Sequence, residues 1–185
     1  MKVFYKFSIE GNEYKFITEY GSAYSVSFIY AGMYFEDFGE VARYIYSIDI
    51  ILNEQGNYSG TDRRIESTVT FIVSDFISRE NKNIILYICE IADGKGMARE
   101  RKFSSWFKNF NKGEFEKVNT MLKTQSMNIE LTFILLHNNP YKDKLLPMLN
   151  ELAKQLTGKW FWILFFLLNV CAIYKEVVFS IVQNV

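Results

Sequence analysis

The chain has 185 residues, 21 basic and 21 acidic, for a formal net charge of zero, with 49% hydrophobic and 17% aromatic residues. That length and apolar content can bury a core without metal or disulfide support, and a neutral chain has no global field for nucleic acid or an anionic membrane. Two cysteines, Cys89 and Cys171, and a single histidine exclude a structural zinc cluster; this cysteine usage predicts a reduced, cytoplasmic setting.

Residues 2–30 read as three strands. Val3, Tyr5 and Phe7 alternate with Phe4, Lys6 and Ser8, which sets this segment apart from a signal peptide. Gly11-Asn12 turns the chain, and Tyr14, Phe16 and Thr18 resume the alternation. After a second turn at Tyr20-Gly21-Ser22, Tyr24, Val26, Phe28 and Tyr30 share one face, with Ser25 and Ser27 on the other. Such period-two segments joined by glycine turns predict an antiparallel meander. Residues 33–42 fit a short helix or a loop. Residues 44–52 read as a fourth strand, followed by a polar loop to Gly60.

A helix comes next. Thr61 or Asp62 can cap it, and Ile65, Val69, Ile72, Val73 and Phe76 fall on one helical face. Residues 84–91 are nearly continuously apolar, as in a central strand buried on both sides, and Asp93-Gly94 ends the run. A second helix spans about 96–110, with Phe103, Trp106, Phe107 and Phe110 on one side. Residues 115–124 and 128–137 read as a strand pair. Asn138-Asn139-Pro140 breaks the chain before a third helix over about 141–156, carrying Leu145, Leu146, Leu149 and Leu152. The order ββββ-α-β-α-ββ-α predicts an α+β fold over residues 1–158. Its antiparallel meander continues into a mixed sheet, because strand–helix–strand units force crossovers.

Residues 159–185 form an apolar appendage. The run Trp160 to Tyr174 is uncharged but shorter than the ~20 residues of a spanning helix. A longer span would bury Lys175 and Glu176 in the bilayer. Three readings stay open for the tail: membrane contact through 160–182 that leaves the domain in the cytoplasm, packing against the domain or a partner subunit, and a poorly ordered extension.

Chemistry concentrates at two strand-to-helix junctions. The first runs from Asp93 to Lys102, where Lys95, Arg99, Arg101 and Lys102 outnumber Asp93 and Glu100. Ligands collect at strand C-termini, and helix N-termini favour anions. Asp93, Gly94, Lys95, Arg99, Arg101, Lys102 and Trp106 are therefore candidates to hold an anionic small molecule or an acidic protein partner. The competing reading is a solvated basic face over an aromatic core stripe. The second junction, Ser59 to Arg64, offers Gly60, Thr61, Arg63 and Arg64 as an anion loop, or else a capped helix start with two exposed arginines. His137 reads as a strand-end histidine and Cys89 as inert core. No nucleophile elbow, phosphate-binding loop, dinucleotide fingerprint, zinc-protease motif or calcium loop is present.

Two resemblances bear on these junctions. Asp62 to Thr68, Leu86 to Glu90, Asp93-Gly94-Lys95 and Arg99 to Phe107 resemble a family of small bacterial proteins known only as a domain of unknown function, over about residues 1–155. That resemblance implies no activity, and residues 159–185 depart from it. The element order also resembles the Gcn5-related N-acetyltransferase fold. In that family the loop before the first of these helices binds the acetyl-CoA pyrophosphate through an Arg/Gln-x-x-Gly-x-Gly/Ala pattern. Here Tyr58 to Ile65 keeps Gly60, lacks the second glycine, and places Asp62 where it would oppose a pyrophosphate.

Two functions follow. One is a binding module that uses the basic junction and needs no cofactor; it is preferred because no catalytic constellation converges. The other is an acyl-CoA-dependent N-acetyltransferase-like enzyme with a degenerate loop and acetyl-CoA as cofactor. Either could be tethered to a membrane by the tail. A strand pair splaying open beside Gly60 is the feature that would favour the transferase.

Overall fold

Period-two alternation builds the first three strands, β1 (Phe7–Glu10), β2 (Glu13–Ile17) and β3 (Ala23–Tyr30). The computed structural model describes residues 4–57, 62–89, 96–123 and 128–157. Phe7 lies opposite Phe16 and Tyr14 opposite Val26, so the aromatic face is continuous across the meander. Gly11 turns β1 into β2 at a φ of 61°, a region that favours glycine. Residues 33–42, open between helix and loop from sequence, lie in a 3-10 segment, Gly32–Tyr44. It is kinked where Phe35 and Gly39 leave helical geometry.

β4 (Ile45–Glu54) completes the N-terminal half. Then come α1 (Arg63–Arg79), β5 (Ile84–Cys89), α2 (Gly96–Phe110), β6 (Phe115–Lys123), β7 (Asn128–Leu136) and α3 (Lys142–Thr157). Asp62, one of two predicted caps, closes the start of α1: its Oδ1 accepts the Arg64 backbone N–H at 2.9 Å.

The strands form one mixed sheet in the order β1-β2-β3-β4-β5-β7-β6. Every ladder is antiparallel except β4–β5, which the α1 crossover makes parallel. The predicted α+β class and mixed sheet are both present.

Each face of the sheet has its own core. On one, Ile84, Leu86, Phe133 and Leu135 pack with Phe35 and Val41 of the 3-10 segment and Leu145 and Leu149 of α3. On the other, Phe28, Ile48 and Ile85 pack with Val69, Ile72 and Phe76 of α1 and Trp106 of α2. β5 supplies both cores, as its continuous apolar run predicts. Burial of each large apolar side chain contributes on the order of 1.5–3 kcal/mol, so this strand anchors the fold. Leu146, grouped with the inward leucines from sequence, is instead 48% exposed, because it points away from the stripe that holds Leu145 and Leu149. Among the described residues no helix is long and apolar enough to cross a membrane. The appendage 159–185 and its three readings lie outside the described residues.

Candidate functional site at the parting of strands β4 and β5

The parallel ladder between β4 and β5 has three register pairs: Ile45 with Ile84, Tyr46 with Ile85, and Ser47 with Leu86. β4 nevertheless continues to Glu54, paired to β3 along its length, and β5 continues to Cys89, paired to β7. The register of the parallel ladder ends at Ser47 and Leu86, while both strands run on along their outer neighbours.

Asp49 stands at this parting. Ile48 and Ile50 point into the α1-side core, so alternation turns Asp49 to the opposite face. Its side chain is 3% exposed, and its Oδ1 has no hydrogen-bond partner. Burial pushes its pKa up to about 6, against the lowering effect of the Ile50 backbone N–H. A carboxylate poised there accepts a proton near neutral pH. Ser27 lies opposite it on β3, and Ser25, Ser47 and Asn53 share its face. Asn53 Nδ2 donates to Ser25 Oγ at 3.2 Å, and the Ser47 hydroxyl donates to the Ile29 carbonyl at 3.4 Å.

The alternation of β3 puts Ser25 and Ser27 on one face, but nothing in that pattern singles out Asp49. The available signal was a lone carboxylate inside the apolar run Ile45 to Leu52. Among the described residues, the other buried side-chain polar atom without a partner is Thr132 Oγ1 on β7.

The loop that leaves β4 meets a tied-down helix start. The Tyr5 hydroxyl donates to Asp62 Oδ2, and the Tyr5 backbone N–H donates to the Thr68 hydroxyl at 2.9 Å. Burial, and then the Asp62 hydrogen bond, push the Tyr5 hydroxyl up to about 12. Arg64 pairs with Glu19, lies 3.5 Å from Asp62, and covers the Tyr5 ring at 4.6 Å. Of the predicted loop residues, Arg64 is thus engaged internally and Arg63 is exposed. Gly60 and Thr61 lie outside the described residues.

At the other junction, Asp93, Gly94 and Lys95 lie outside the described residues, as does the side chain of Arg99. Arg101 is exposed on α2. Lys102 and Trp106 do come together: the ammonium sits 5.4 Å from the indole, half-buried, and burial lowers its pKa against the nearby Glu66. Trp106 itself is part of the core.

The backbone from the α1 cap through α3 carries the segments whose sequence resembles a domain of unknown function. Residues 61–151 match a family of unknown function (DUF6169). The DUF6169 match takes in β5, α2 and the basic junction and leaves β4 with Asp49 outside it. It is narrower than the span of about residues 1–155 expected from sequence. No curated protein and no solved structure matches the chain.

His137 lies just beyond β7, at the Ile84 end of β5, whereas the strands part at the Leu86 end. Its Nδ1 is 2.5 Å from Glu116 Oε1, which Lys142 also meets at 2.5 Å. Lys142, and less strongly His137, hold the Glu116 carboxyl below its usual range. The group is a surface clasp between β6 and the start of α3. Among the described residues no cluster of His, Cys, Asp or Glu could hold a metal ion.

Proposed function

We propose that this protein binds an acyl thioester of coenzyme A between β4 and β5 and transfers the acyl group to an amine. The observation that carries the proposal is the ladder that stops at Ser47 and Leu86. A parallel ladder that ends while both strands run on is the feature that favours this reading. An extended pantetheine arm lying along the end of this ladder would bring its thioester to Asp49, two residues beyond Ser47.

Asp49 supplies the proton acceptor. The amine nitrogen attacks the thioester carbonyl, the C–S bond breaks, and the nitrogen gives its proton to Asp49. The same proton then passes to the departing sulfur, so amide and free thiol are the products. Arg63, being exposed, is the basic side chain at the helix start able to reach a phosphate. The departures from the Gcn5-related pattern at Asp62 weaken phosphate binding there, so the strand edges carry most of the hold on the cofactor.

Titration calorimetry with acetyl-CoA tests this reading. Saturable heat that disappears on Asp49→Arg, which fills the parting with a bulky cation, supports it. A titration of the wild-type protein without heat overturns it.

A second reading keeps the basic face of α2 as an anion or acidic-partner site. It is supported by Lys102, whose half-buried ammonium would be relieved of part of its desolvation by an anion. Binding of an acidic peptide that is lost on Arg101→Glu with Lys102→Glu supports this reading; unchanged binding counts against it.

A further inference from the structure

The two faces of the sheet are covered unequally. Helices α1 and α2 lie on one, and the 3-10 segment and α3 lie on the other. On the α3 side, the buried apolar cluster takes Ile45 from β4 and no residue from β1, β2 or β3. Alternation nevertheless sends Ile17, Ser25, Ile29, Asp49 and Ile51 to that side. Ile17 is 66% and Ile29 39% exposed there. A sheet face that carries open isoleucines is a contact surface for another layer.

The course of α3 shows what can reach it. Lys142 meets Glu116 near the start of β6, and the Thr120 hydroxyl, further along β6, donates to Asn150 at 3.1 Å. Helix α3 therefore runs in the direction of β6. That is also the direction of β4, because β6 and β5 are each antiparallel to β7 and β5 is parallel to β4. At Thr157 the chain thus leaves α3 on the α3-side face, at the end of the sheet where β4 finishes. Strand β4 lies two strands from β7, about 10 Å, which is the distance at which a second element packs beside a helix.

The uncharged run that follows, Trp160 to Tyr174, has 15 residues and spans about 22 Å even if wound as a helix. Strand β4 from Ser47 to Asn53 spans about 20 Å. We infer that residues 160–174 dock across the α3-side face of β3 and β4 in the same chain, over Ile29 and Ile51. This goes beyond the acyltransferase reading and does not rest on it; whether acetyl-CoA binds has no bearing on the outcome.

A benzophenone amino acid in place of Ile29, and separately in place of Ile51, tests this in the full chain. Ile29 lies outside the core, so its replacement leaves the packing intact. Irradiation followed by peptide mapping should link each probe to residues 160–174 of its own chain, with a yield unchanged by dilution. The same probe at Met121, which is exposed on the α2 side of β6, should not reach that run. Vesicles of phosphatidylcholine and phosphatidylglycerol should leave the links in place. No link to residues 160–174 from either probe overturns the inference. So do links that form only between chains, which would make the face a contact between copies, and links lost on adding vesicles, which would give the run to the bilayer.

Discussion

Ser47 of β4 and Leu86 of β5 are the last residues paired across the one parallel ladder in the sheet, and Asp49 follows two residues beyond. Pairing on their outer sides holds both strands straight on: β4 stays on β3 as far as Glu54, and β5 stays on β7 as far as Cys89. The parting is thus fixed from both flanks. It places a buried carboxyl two residues beyond the end of the β4–β5 ladder.

Asp49→Asn should stabilise the protein and, on the proposed function, slow acyl transfer. The ordinary Asp pKa of 3.8 is raised to about 6 in the fold, so the native carboxyl keeps a proton between those values that the unfolded chain has lost. Stability falls as pH rises through that window. Asparagine does not ionise and escapes the loss. Urea unfolding at pH 7.5 should show a gain of about 1–3 kcal/mol that vanishes below pH 4. Loss of the proton acceptor should lower acyl transfer about 10²–10⁴-fold. A destabilised Asp49→Asn protein at pH 7.5 would show the carboxylate to be structural.

Asp62→Ala should weaken the fold by about 1–3 kcal/mol. It removes the cap from α1 and leaves the Tyr5 hydroxyl and the Arg64 guanidinium short of a partner. Tyr5→Phe should cost less, since the cap to the Arg64 N–H survives. Urea midpoints of the two variants give the comparison, and equal losses would mean that the cap contributes little.

Gly56→Ala should lower the melting temperature by several degrees, about 1 kcal/mol or more. A Cβ there would lie 2.2 Å from the Tyr20 carbonyl oxygen and 2.5 Å from the Ser22 nitrogen, both backbone atoms. The contact ties the end of β4 to the β2–β3 turn, where the Gly56 N–H donates to the Ser22 hydroxyl at 3.0 Å. An unchanged melting curve would show that this junction yields easily.

His137→Ala should leave acyl transfer within about twofold of wild type. The chain's single histidine clasps Glu116 at the end of the sheet away from the parting. A large fall in rate would move the chemistry to that clasp and away from Asp49.

The strand and helix order was legible because the residues that set it repeat at short range. Tyr24, Val26 and Phe28 alternate, and Val69, Ile72 and Phe76 recur at helical spacing; both sets are buried where predicted. The parting of β4 and β5 was not legible. It depends on which strands lie outside the pair, a long-range property of the sheet order, and the apolar run of β5 reads the same whether its neighbour follows it or leaves it. Asp49 was missed for a related reason. In sequence a single acid in a strand reads as a solvent-facing alternate, and its burial emerges only in the folded sheet. The basic junction, by contrast, stands out by charge alone, and of its residues the structure brings the Lys102 ammonium within 5.4 Å of the Trp106 ring.

The most direct measurement is an NMR titration of the ¹⁵N-labelled chain with coenzyme A. The account predicts saturable shifts of the backbone amides of Ile48 to Ile50 and Tyr87 to Cys89, with those of Ile45 to Ser47 and Ile84 to Leu86 little moved. Shifts absent from both strands beyond Ser47 and Leu86, or confined to the α2 face around Arg101 and Lys102, would contradict it.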